Sequence, residues 1–292
     1  MRRSFIATDA GFLWLPAEGS VKLPDRELHN TLTFFDKNKR RMSTVFISDL
    51  HLSPDDSDLM GHFQFFLENL LPKNTRRLYI LGDLFEYWLG DDSASYLSQT
   101  PVEQSLKRVS DAGIDTFLMR GNRDFLLGEA FCDRTGCRLI EEPHFLDDDH
   151  QRALLLHGDS LCTDDIEHQK FRTIVRSLDW QKGFLEKTIS ERNQLALQVR
   201  YRSEQGKSIK SMDIMDVNAR AVTDELDKAA VRLMIHGHTH RPDIHRTHRS
   251  DGTPALRVVL GDWSEGPSYA ELAAGHLTLH HAGSHRGIDV AQ

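Results

Sequence analysis

Short apolar runs recur along the chain, and most of them end at a glycine or a polar residue. The runs are rich in Leu, Ile, Val and Phe, which is the pattern of strands that are buried on both faces. Such strands belong to the interior of a layered protein rather than to a surface hairpin. The pattern predicts strands at residues 44–47, 77–81, 116–119, 153–156 and 233–235.

Helical periodicity separates the first two of these runs. The apolar residues there are spaced as one face of a helix, at Leu59, Phe63, Phe66, Leu67 and Leu70. Residues 102–112 give a second, weaker helical stretch. Alternation of strand and helix predicts right-handed crossovers and a largely parallel sheet. The later runs 256–260 and 276–280 alternate more strongly, and we interpret both as strands of a second sheet.

Residues 165–230 contain no strand-like run and are predicted to be helical. Within them, residues 182–210 carry an excess of positive charge in a chain of net charge −8. This segment is either a solvated helical face or a cap that meets an anionic substrate, and its composition leaves both interpretations open. The basic residues are Lys182, Lys187, Arg192, Arg200, Arg202, Lys207 and Lys210.

Composition excludes several classes of protein. With 292 residues, of which 39% are hydrophobic and 27% charged, the chain has the composition of a globular protein with a full core. The negative net charge argues against general nucleic-acid binding. The three cysteines are an odd number without paired metal-ligand spacing, which favours reduced thiols. No apolar run has the length of about 18–20 residues that a membrane span needs.

The two ends of the chain differ from its middle. Asp9 and Gly11 interrupt the apolar stretch near the N-terminus, which argues against a signal peptide. Residues 21–41 are polar, and Met42 stands directly before the first strand as a candidate start. We therefore predict a disordered N-terminal extension over residues 1–41, one main domain over 42–281 and a flexible tail over 282–292.

Five short polar motifs follow the five apolar runs. In an extended backbone, residues two apart point to the same side, so both side chains of an Asp-x-His or His-x-His motif can reach one ion. Alone, each motif is weak, because a single Asp or His is more often structural than a ligand. The motifs are Asp49-Leu50-His51, Gly82-Asp83, Gly121-Asn122-Arg123-Asp124, His157-Gly158-Asp159 and Gly237-His238-Thr239-His240.

The joint placement of the motifs carries more weight than any one of them. All five lie at the carboxyl ends of strands, the edge at which open α/β sheets place their sites. Several carboxylates and imidazoles that converge there are costly to bury without a counterion, so we expect cations. Two divalent ions about 3.5–4 Å apart need a shared carboxylate, and Asp83 is the best candidate. Beside Asn122, Arg123 offers a bidentate clamp for a phosphate.

With these five motifs the chain resembles the calcineurin-like metallophosphoesterase superfamily. The resemblance implies an α/β fold, a two-sheet sandwich flanked by helices, with a helical cap inserted at about 165–228. It also implies two divalent ions. One would be held by Asp49, His51, Asp83 and His240, and the other by Asp83, Asn122, His157 and His238. Asn122, Arg123 and His238 would act on the substrate. Arg123 stands where many members have a histidine, which favours a diphosphate substrate over a phosphomonoester.

A narrower resemblance is to the UDP-2,3-diacylglucosamine diphosphatase family of lipid A biosynthesis, over roughly residues 43–280. It is carried by segments 46–52, 79–86, 121–128, 161–165, 214–218 and 235–242. The resemblance implies hydrolysis of the substrate to UMP and 2,3-diacylglucosamine 1-phosphate, with Mn²⁺ as the metal. It also implies substrate contacts from Asn122, Arg123, Asp165, Ser203, Lys207, Lys210 and His238. Lys207 stands where the family pattern has Asn, and the ligand set alone leaves Mn²⁺, Fe²⁺ and Zn²⁺ open.

Partners and location follow from the same resemblance. The partner expected is a lipid-linked nucleotide sugar, and we expect no nucleic acid and no obligate protein partner. The protein would be cytoplasmic and attached peripherally to the inner membrane, with the basic cap against anionic headgroups. Two alternatives stay open: an enzyme of the same superfamily that acts on another nucleotide, and a non-catalytic scaffold that retains the fold.

Overall fold

A computed structural model describes residues 6–8, 11–13, 42–148, 151–207 and 216–290. The chain divides into two compact units, residues 1–41 and residues 42–292. In the first unit, β1 (Ile6–Thr8) pairs antiparallel with β2 (Gly11–Leu13). Most of the extension predicted to be disordered lies outside the described residues, so that prediction stays a prediction.

The other strands that the structure describes, and the helices that it describes, lie in the second unit. Its strands are β3 (Ser43–Ile47), β4 (Thr75–Leu81), β5 (Asp115–Met119), β6 (Arg138–Ile140), β7 (His144–Asp148), β8 (Gln151–Leu155), β9 (Leu233–His236), β10 (Asp243–His248), β11 (Pro254–Val259), β12 (Tyr269–Ala273), β13 (His276–His281) and β14 (Ser284–Asp289). Its α-helices are α1 (Ser57–Phe65), α2 (Thr100–Asp111), α3 (Glu129–Thr135), α4 (Ile166–Val175), α5 (Leu178–Leu185), α6 (Ile189–Lys207) and α7 (Ala219–Ala229).

Two mixed sheets form the centre of this unit. The seven-stranded sheet has the order β14-β13-β12-β3-β4-β5-β6, with β3 to β6 parallel and β12 to β14 antiparallel. The five-stranded sheet has the order β10-β11-β9-β8-β7, with β8, β9 and β11 parallel and the two edge strands antiparallel. The predicted α/β sandwich of two sheets flanked by helices is confirmed.

Alternate residues of the central strands enter different parts of the core. Val45 and Ile47 pack among the helices on one face of the seven-stranded sheet, while Phe46 faces the five-stranded sheet. Residues of β9 and β11, such as Ile235 and Val258, meet Phe46 in the core between the two sheets. Because both faces of these strands are covered, the strands read as continuous apolar runs in the sequence.

The helical predictions are confirmed. The periodic stretch after the first strand forms α1 and a π-helical turn at Phe66–Leu70, and the weaker stretch forms α2. Between residues 165 and 230 the described part of the chain forms α4 to α7 and contains no strand. Among the described residues, no helix combines the length and the apolar character that crossing a bilayer requires.

Two predictions near the C-terminus are wrong. The run 276–280 is β13, which pairs with β12 and so extends the first sheet instead of the second. The tail predicted to be flexible from residue 282 forms β14 over Ser284–Asp289, paired with β13. Ala282 and Gly283 both have positive φ, which suits the two-residue turn of a tight hairpin, and this turn returns the chain onto β13.

Candidate metal centre

The five motifs meet at one edge of the sandwich. Asp49 and His51 follow β3, Asp83 follows β4, and Asn122 follows β5, so the seven-stranded sheet supplies these four. The five-stranded sheet supplies the three remaining histidines, which follow β8 and β9 as His157, His238 and His240. Strand ends from two sheets therefore bring all seven predicted metal ligands into one region.

The backbone at these residues is not extended, contrary to the prediction for the Asp-x-His and His-x-His motifs. Five of the seven candidate ligands have a left-handed backbone with φ between 50° and 69°, namely Asp49, His51, Asp83, His238 and His240. Non-glycine residues seldom adopt this conformation, and neighbouring structure must hold them in it. The amides of Asp49 and His51 donate to the carbonyls of Gly82 and Asp83, at 3.1 and 3.0 Å, which ties the two loops together.

One group of ligand atoms lies around Asp49, His51 and His240. The Nε2 atoms of His51 and His240 are 3.2 Å apart, and Nε2 of His240 is 3.4 Å from Oδ1 of Asp49. Ligand atoms of these three residues all lie within 4.8 Å of one another. This spacing suits a single ion that contacts all three.

A second group contains Asp49, Asp83 and His157, whose ligand atoms also lie within 4.8 Å of one another. Asp49 belongs to both groups. Asp83 faces a histidine of each group, because its Oδ2 is 3.9 Å from Nε2 of His51 and its Oδ1 is 3.7 Å from Nε2 of His157. Each carboxylate oxygen thus faces a different histidine. This is the position that a carboxylate shared by two ions would occupy.

Asn122 and His238 complete the second group. Oδ1 of Asn122 lies 2.9 Å from Nε2 of His157 and 2.8 Å from Nδ1 of His238. The backbone amide of His238 donates to Oδ2 of Asp49 at 2.8 Å, which fixes the loop after β9 against the loop after β3. The amide oxygen and two imidazole nitrogens therefore converge on one point.

The residues present fit divalent cations. Asp49 is fully buried, and among the described residues its Oδ1 has no hydrogen-bond partner. Burial lowers the pKa of His157, but Asp83 and Asp49 outweigh it and raise the pKa to about 9. Burial likewise lowers the pKa of His240, while Asp262 and Asp49 raise it to about 10. The surroundings of both rings thus favour positive charge, and the nitrogen and oxygen donors suit Mn²⁺, Fe²⁺ or Zn²⁺.

Several ligand side chains are also held at the atom that faces away from the site. Nδ1 of His157 contacts the carbonyl of Leu81 at 2.9 Å, and Nδ1 of His240 lies 3.4 Å from Oδ2 of Asp262. Nδ1 of His51 lies 3.0 Å from Oε2 of Glu86. Partners of this kind orient the rings and tune their basicity.

Three carboxylates that support the site, Glu86, Asp262 and Asp124, were not predicted as functional residues. The buried carboxylate of Asp124 accepts from the amides of Gly121 and Leu84, both at 2.8 Å, and so joins the loops after β4 and β5. Asp262 had a signal, because Gly261-Asp262 follows β11 as Gly82-Asp83 follows β4. That repeated pattern places a further Asp at the same edge.

Arg123 reaches the site through two contacts. Its backbone amide donates to Oδ1 of Asp83 at 2.8 Å, and its guanidinium lies 3.6 Å from Oε1 of Glu86. Arg200 of α6 donates to the same Glu86 oxygen at 2.7 Å. Burial raises the pKa of Glu86, but His51, Arg123 and Arg200 outweigh it and lower the pKa to about 2. Glu86 therefore joins the metal centre to the helical segment.

Of the other predicted substrate contacts, only the side chain of Asp165 lies among the described residues. Asp165 is buried and caps α4, since its Oδ1 accepts from the amide of His168 at 3.1 Å. Ser203 and Lys207 belong to α6, but their side chains lie outside the described residues, as does all of Lys210. Arg192 does not belong to an exposed basic face: its side chain is 3% exposed and contacts Asp92 at 2.8 Å.

Comparison with known proteins agrees with a phosphoesterase metal centre. The family described as calcineurin-like phosphoesterase matches residues 42–242. A UDP-2,3-diacylglucosamine hydrolase of Marinobacter nauticus is 48% identical over 77% of this chain and 91% of its own length. The hydrolases of that name from Aromatoleum aromaticum and Hahella chejuensis are 45% and 44% identical, over 78% and 82% of this chain and 92% and 96% of their own.

Proposed function

The chain belongs to the calcineurin-like phosphoesterase family, and we propose that it hydrolyses the diphosphate bond of UDP-2,3-diacylglucosamine in lipid A biosynthesis. The products would be UMP and 2,3-diacylglucosamine 1-phosphate. The observation that supports this most strongly is that hydrolases of this substrate match the chain over nine-tenths of their own length. The convergence of Asp49, Asp83 and His157 supports a catalytic protein over a scaffold, because a scaffold has no need of buried ligand atoms.

We assign the seven ligands to two ions that share Asp83. The first ion would be held by Asp49, His51, Asp83 and His240, and the second by Asp83, Asn122, His157 and His238. Two such divalent ions would lower the pKa of a shared water and polarise the phosphoryl oxygens. Mn²⁺ is our proposal for the metal, and the mixed imidazole and carboxylate donors suit it.

The protein's own groups have separate tasks around the α-phosphate. Asn122, with His157 and His238 beside its amide oxygen, orients the phosphoryl group against the ions. Burial holds the pKa of His238 well below its ordinary value, so the ring stays neutral and available as a donor to the metal. The guanidinium of Arg123, held beside Glu86, neutralises charge on the phosphate that leaves.

The helical segment would lie against the lipid. We propose that the acyl chains bind beneath α4 to α6 and that basic residues such as Lys182 and Lys187 contact anionic headgroups. Exposed apolar side chains of these helices, including Ile174 and Leu178, support contact with lipid. Attachment of this kind is peripheral and weakens with salt. A protein that stays bound to vesicles in high salt without detergent would contradict the electrostatic part of this proposal.

Hydrolysis in ¹⁸O-labelled water, followed by phosphorus NMR, tests the reaction. Attack on the α-phosphorus places the label in UMP, whereas attack on the β-phosphorus places it in the lipid phosphate. Asp83→Ala should lose bound metal and hydrolysis together, by a factor on the order of a thousand in rate. Asp111→Ala, which removes an exposed carboxylate paired with Lys107, is the matched control and should change neither. Turnover of other nucleotide diphosphates without turnover of UDP-2,3-diacylglucosamine would refute the proposed substrate.

A further inference from the structure

A polar pocket of about 240 Å³ opens beside the loop that carries the last two metal-ligand histidines. Thr239, which stands between His238 and His240, is part of its wall. Other residues that line the pocket are Asp216, Arg241, Asp243, His245, Arg257 and Val259. None of these residues belongs to the predicted metal ligands or substrate contacts, so the pocket has no assigned role in the hydrolysis.

The pocket lies at the same edge of the sandwich as the metal centre. Val259 ends β11 and is paired with His236, the last residue of β9, directly before the loop of His238. Because β10 runs antiparallel to β11, its first residues return to this edge, and Asp243 pairs with Val259. Ile244 and Val258 point into the core between the sheets, so their neighbours along the strands point to the opposite face.

Charges around the pocket are balanced. Arg241 pairs with Asp216, and Asp243 pairs with the exposed Arg286. Arg257 is different: within the described part of the chain it forms no ion pair, and its one hydrogen-bond contact is with Nε2 of His236 at 3.1 Å. The guanidinium therefore keeps donors for a ligand. Two arginines against two aspartates make a lining that suits a neutral polar ligand better than a free anion.

The lining also contains an unsatisfied hydroxyl. Oγ1 of Thr239 is buried and has no hydrogen-bond partner among the described residues. An unpaired buried polar group is costly, and a bound ligand would remove that cost. The pocket therefore offers guanidinium and hydroxyl donors together with the carboxylate acceptors of Asp216 and Asp243.

We propose that this pocket binds the uridine end of the nucleotide substrate, an inference that rests on the proposed function. Uracil presents two carbonyl acceptors and one N–H donor, and ribose presents two hydroxyls, so uridine needs both donors and acceptors. Arg257 supplies a two-pronged donor, and the carboxylates supply acceptors. Because Thr239 stands between two candidate ligand histidines and also lines the pocket, a nucleoside that extends past Thr239 from an α-phosphate at the ions would enter this pocket.

Binding measurements on the full-length, Mn²⁺-loaded protein test the proposal without requiring turnover. Calorimetric titration gives the dissociation constants of UMP and of inorganic phosphate. Arg257→Gln should weaken UMP binding about tenfold, because it removes a charged two-pronged donor, and should leave phosphate binding unchanged. His245→Trp fills the pocket from β10 while keeping every charge, and should weaken UMP binding alone as well. Arg246→Gln, at the exposed next position of β10, is the matched control and should change neither constant.

The possible outcomes separate the proposal for the pocket from the proposed function. Unchanged UMP binding in both pocket variants would overturn the proposal, because the uridine would then bind elsewhere. Parallel loss of UMP and phosphate binding would overturn it too, since Arg257 would then act through His236 on the metal-bearing loop. If Arg257→Gln does not fold, His245→Trp alone tests the proposal. A wild-type protein that binds UMP in this pocket but does not hydrolyse UDP-2,3-diacylglucosamine would refute the proposed function and leave the pocket standing.

Discussion

At the scale of single residues, carboxylates hold two of the candidate ligand histidines in place. Glu86 lies behind His51 at 3.0 Å, and Asp262 lies behind His240 at 3.4 Å. The Asp262 carboxylate also accepts from the amide of Ser264, which keeps it pointed at the ring. Because such partners set ring orientation and donor strength, the affinity for metal depends on residues that do not touch the ion.

Asp262→Asn tests this dependence while keeping the size of the side chain. The change removes the negative charge behind His240, so we expect metal affinity or hydrolysis to fall by about 10–100-fold. Metal titration of the purified protein measures the affinity. Asp289→Asn is the matched control, because Asp289 contacts an exposed histidine, His276, at 2.7 Å. Equal effects of the two substitutions would show that Asp262 does not act through its histidine.

The sequence predicted the ligands at this scale but not their supports. Asp49, His51 and Asp83 stand in motifs that follow strands, and strand ends converge, so their meeting was predictable. The Gly-Asp pattern at Asp262 indicates that this carboxylate lies at the same edge, but the sequence does not show that it contacts His240, because that contact forms only when the two sheets are assembled. The left-handed backbone at Asp49 was also unpredictable, because contacts between loops that are distant in sequence impose it.

At the scale of elements, one ion-pair network joins α4 to the loops of the metal centre. Arg172 of α4 contacts Oδ2 of Asp159 and Oε2 of Glu142, each at 2.9 Å. Oε1 of Glu142 accepts from the amide of His157 at 3.0 Å, and Arg176 donates to the carbonyl of Gly121 at 3.2 Å. The base of the helical segment is thereby fixed to the loops that carry His157 and Asn122.

Arg172→Gln should destabilise the protein, because it removes an arginine that lies 2.9 Å from both the fully buried Asp159 and the nearly buried Glu142. Loss of one member of a buried pair costs about 3–5 kcal/mol, and the partial exposure of Arg172 places the expected loss near the lower limit. Denaturant unfolding measures it. Lys170→Gln breaks an exposed pair with Glu167 on the same helix and should cost less than about 1 kcal/mol. Comparable losses would contradict the network.

Close packing between the loops after β3 and β9 gives a second prediction. A Cβ added at Gly237 would lie 2.1 Å from Oγ of Ser48 and 2.2 Å from Oδ2 of Asp49. Gly237→Ala should therefore displace the Asp49 carboxylate and weaken metal binding at least about tenfold. At Gly61 in α1, an added Cβ meets no atom within 4 Å, so Gly61→Ala should leave metal binding unchanged and stabilise the helix by about 0.5–1 kcal/mol. Full metal affinity in Gly237→Ala would show that the two loops do not pack this closely.

The sequence predicts the presence of strands better than it predicts which strands pair with each other. The strands that precede the motifs are buried on both faces. Their continuous apolar runs therefore identify them from the sequence alone. An apolar run does not show which strand it pairs with, so the prediction placed β13 in the wrong sheet. The strand β14 was missed because its side chains are largely exposed, and hydrogen bonds to β13 hold it in place instead of burial.

At the scale of the whole molecule, the metal centre crosses the sandwich. The seven-stranded sheet supplies four candidate ligands, and the five-stranded sheet supplies the other three. Asp49 and His240, which share one group, come from different sheets, and so do Asp83 and His157. An ion in either position therefore links the two sheets, and the unfolded chain has no equivalent site.

This linkage predicts that metal stabilises the fold as a whole. An ion that binds the native state alone adds about 2.7 kcal/mol to the free energy of unfolding at a hundredfold excess over its dissociation constant. For a domain of this size, each kcal/mol raises the melting temperature by about 2–4 °C. Removal of bound divalent metal with a chelator should lower the melting temperature by several degrees, and added Mn²⁺ should restore it. Asp83→Ala should abolish this response while Asp111→Ala retains it. A full response in Asp83→Ala would mean that the stabilising ions bind away from the shared carboxylate, and that the two sheets are not joined through it.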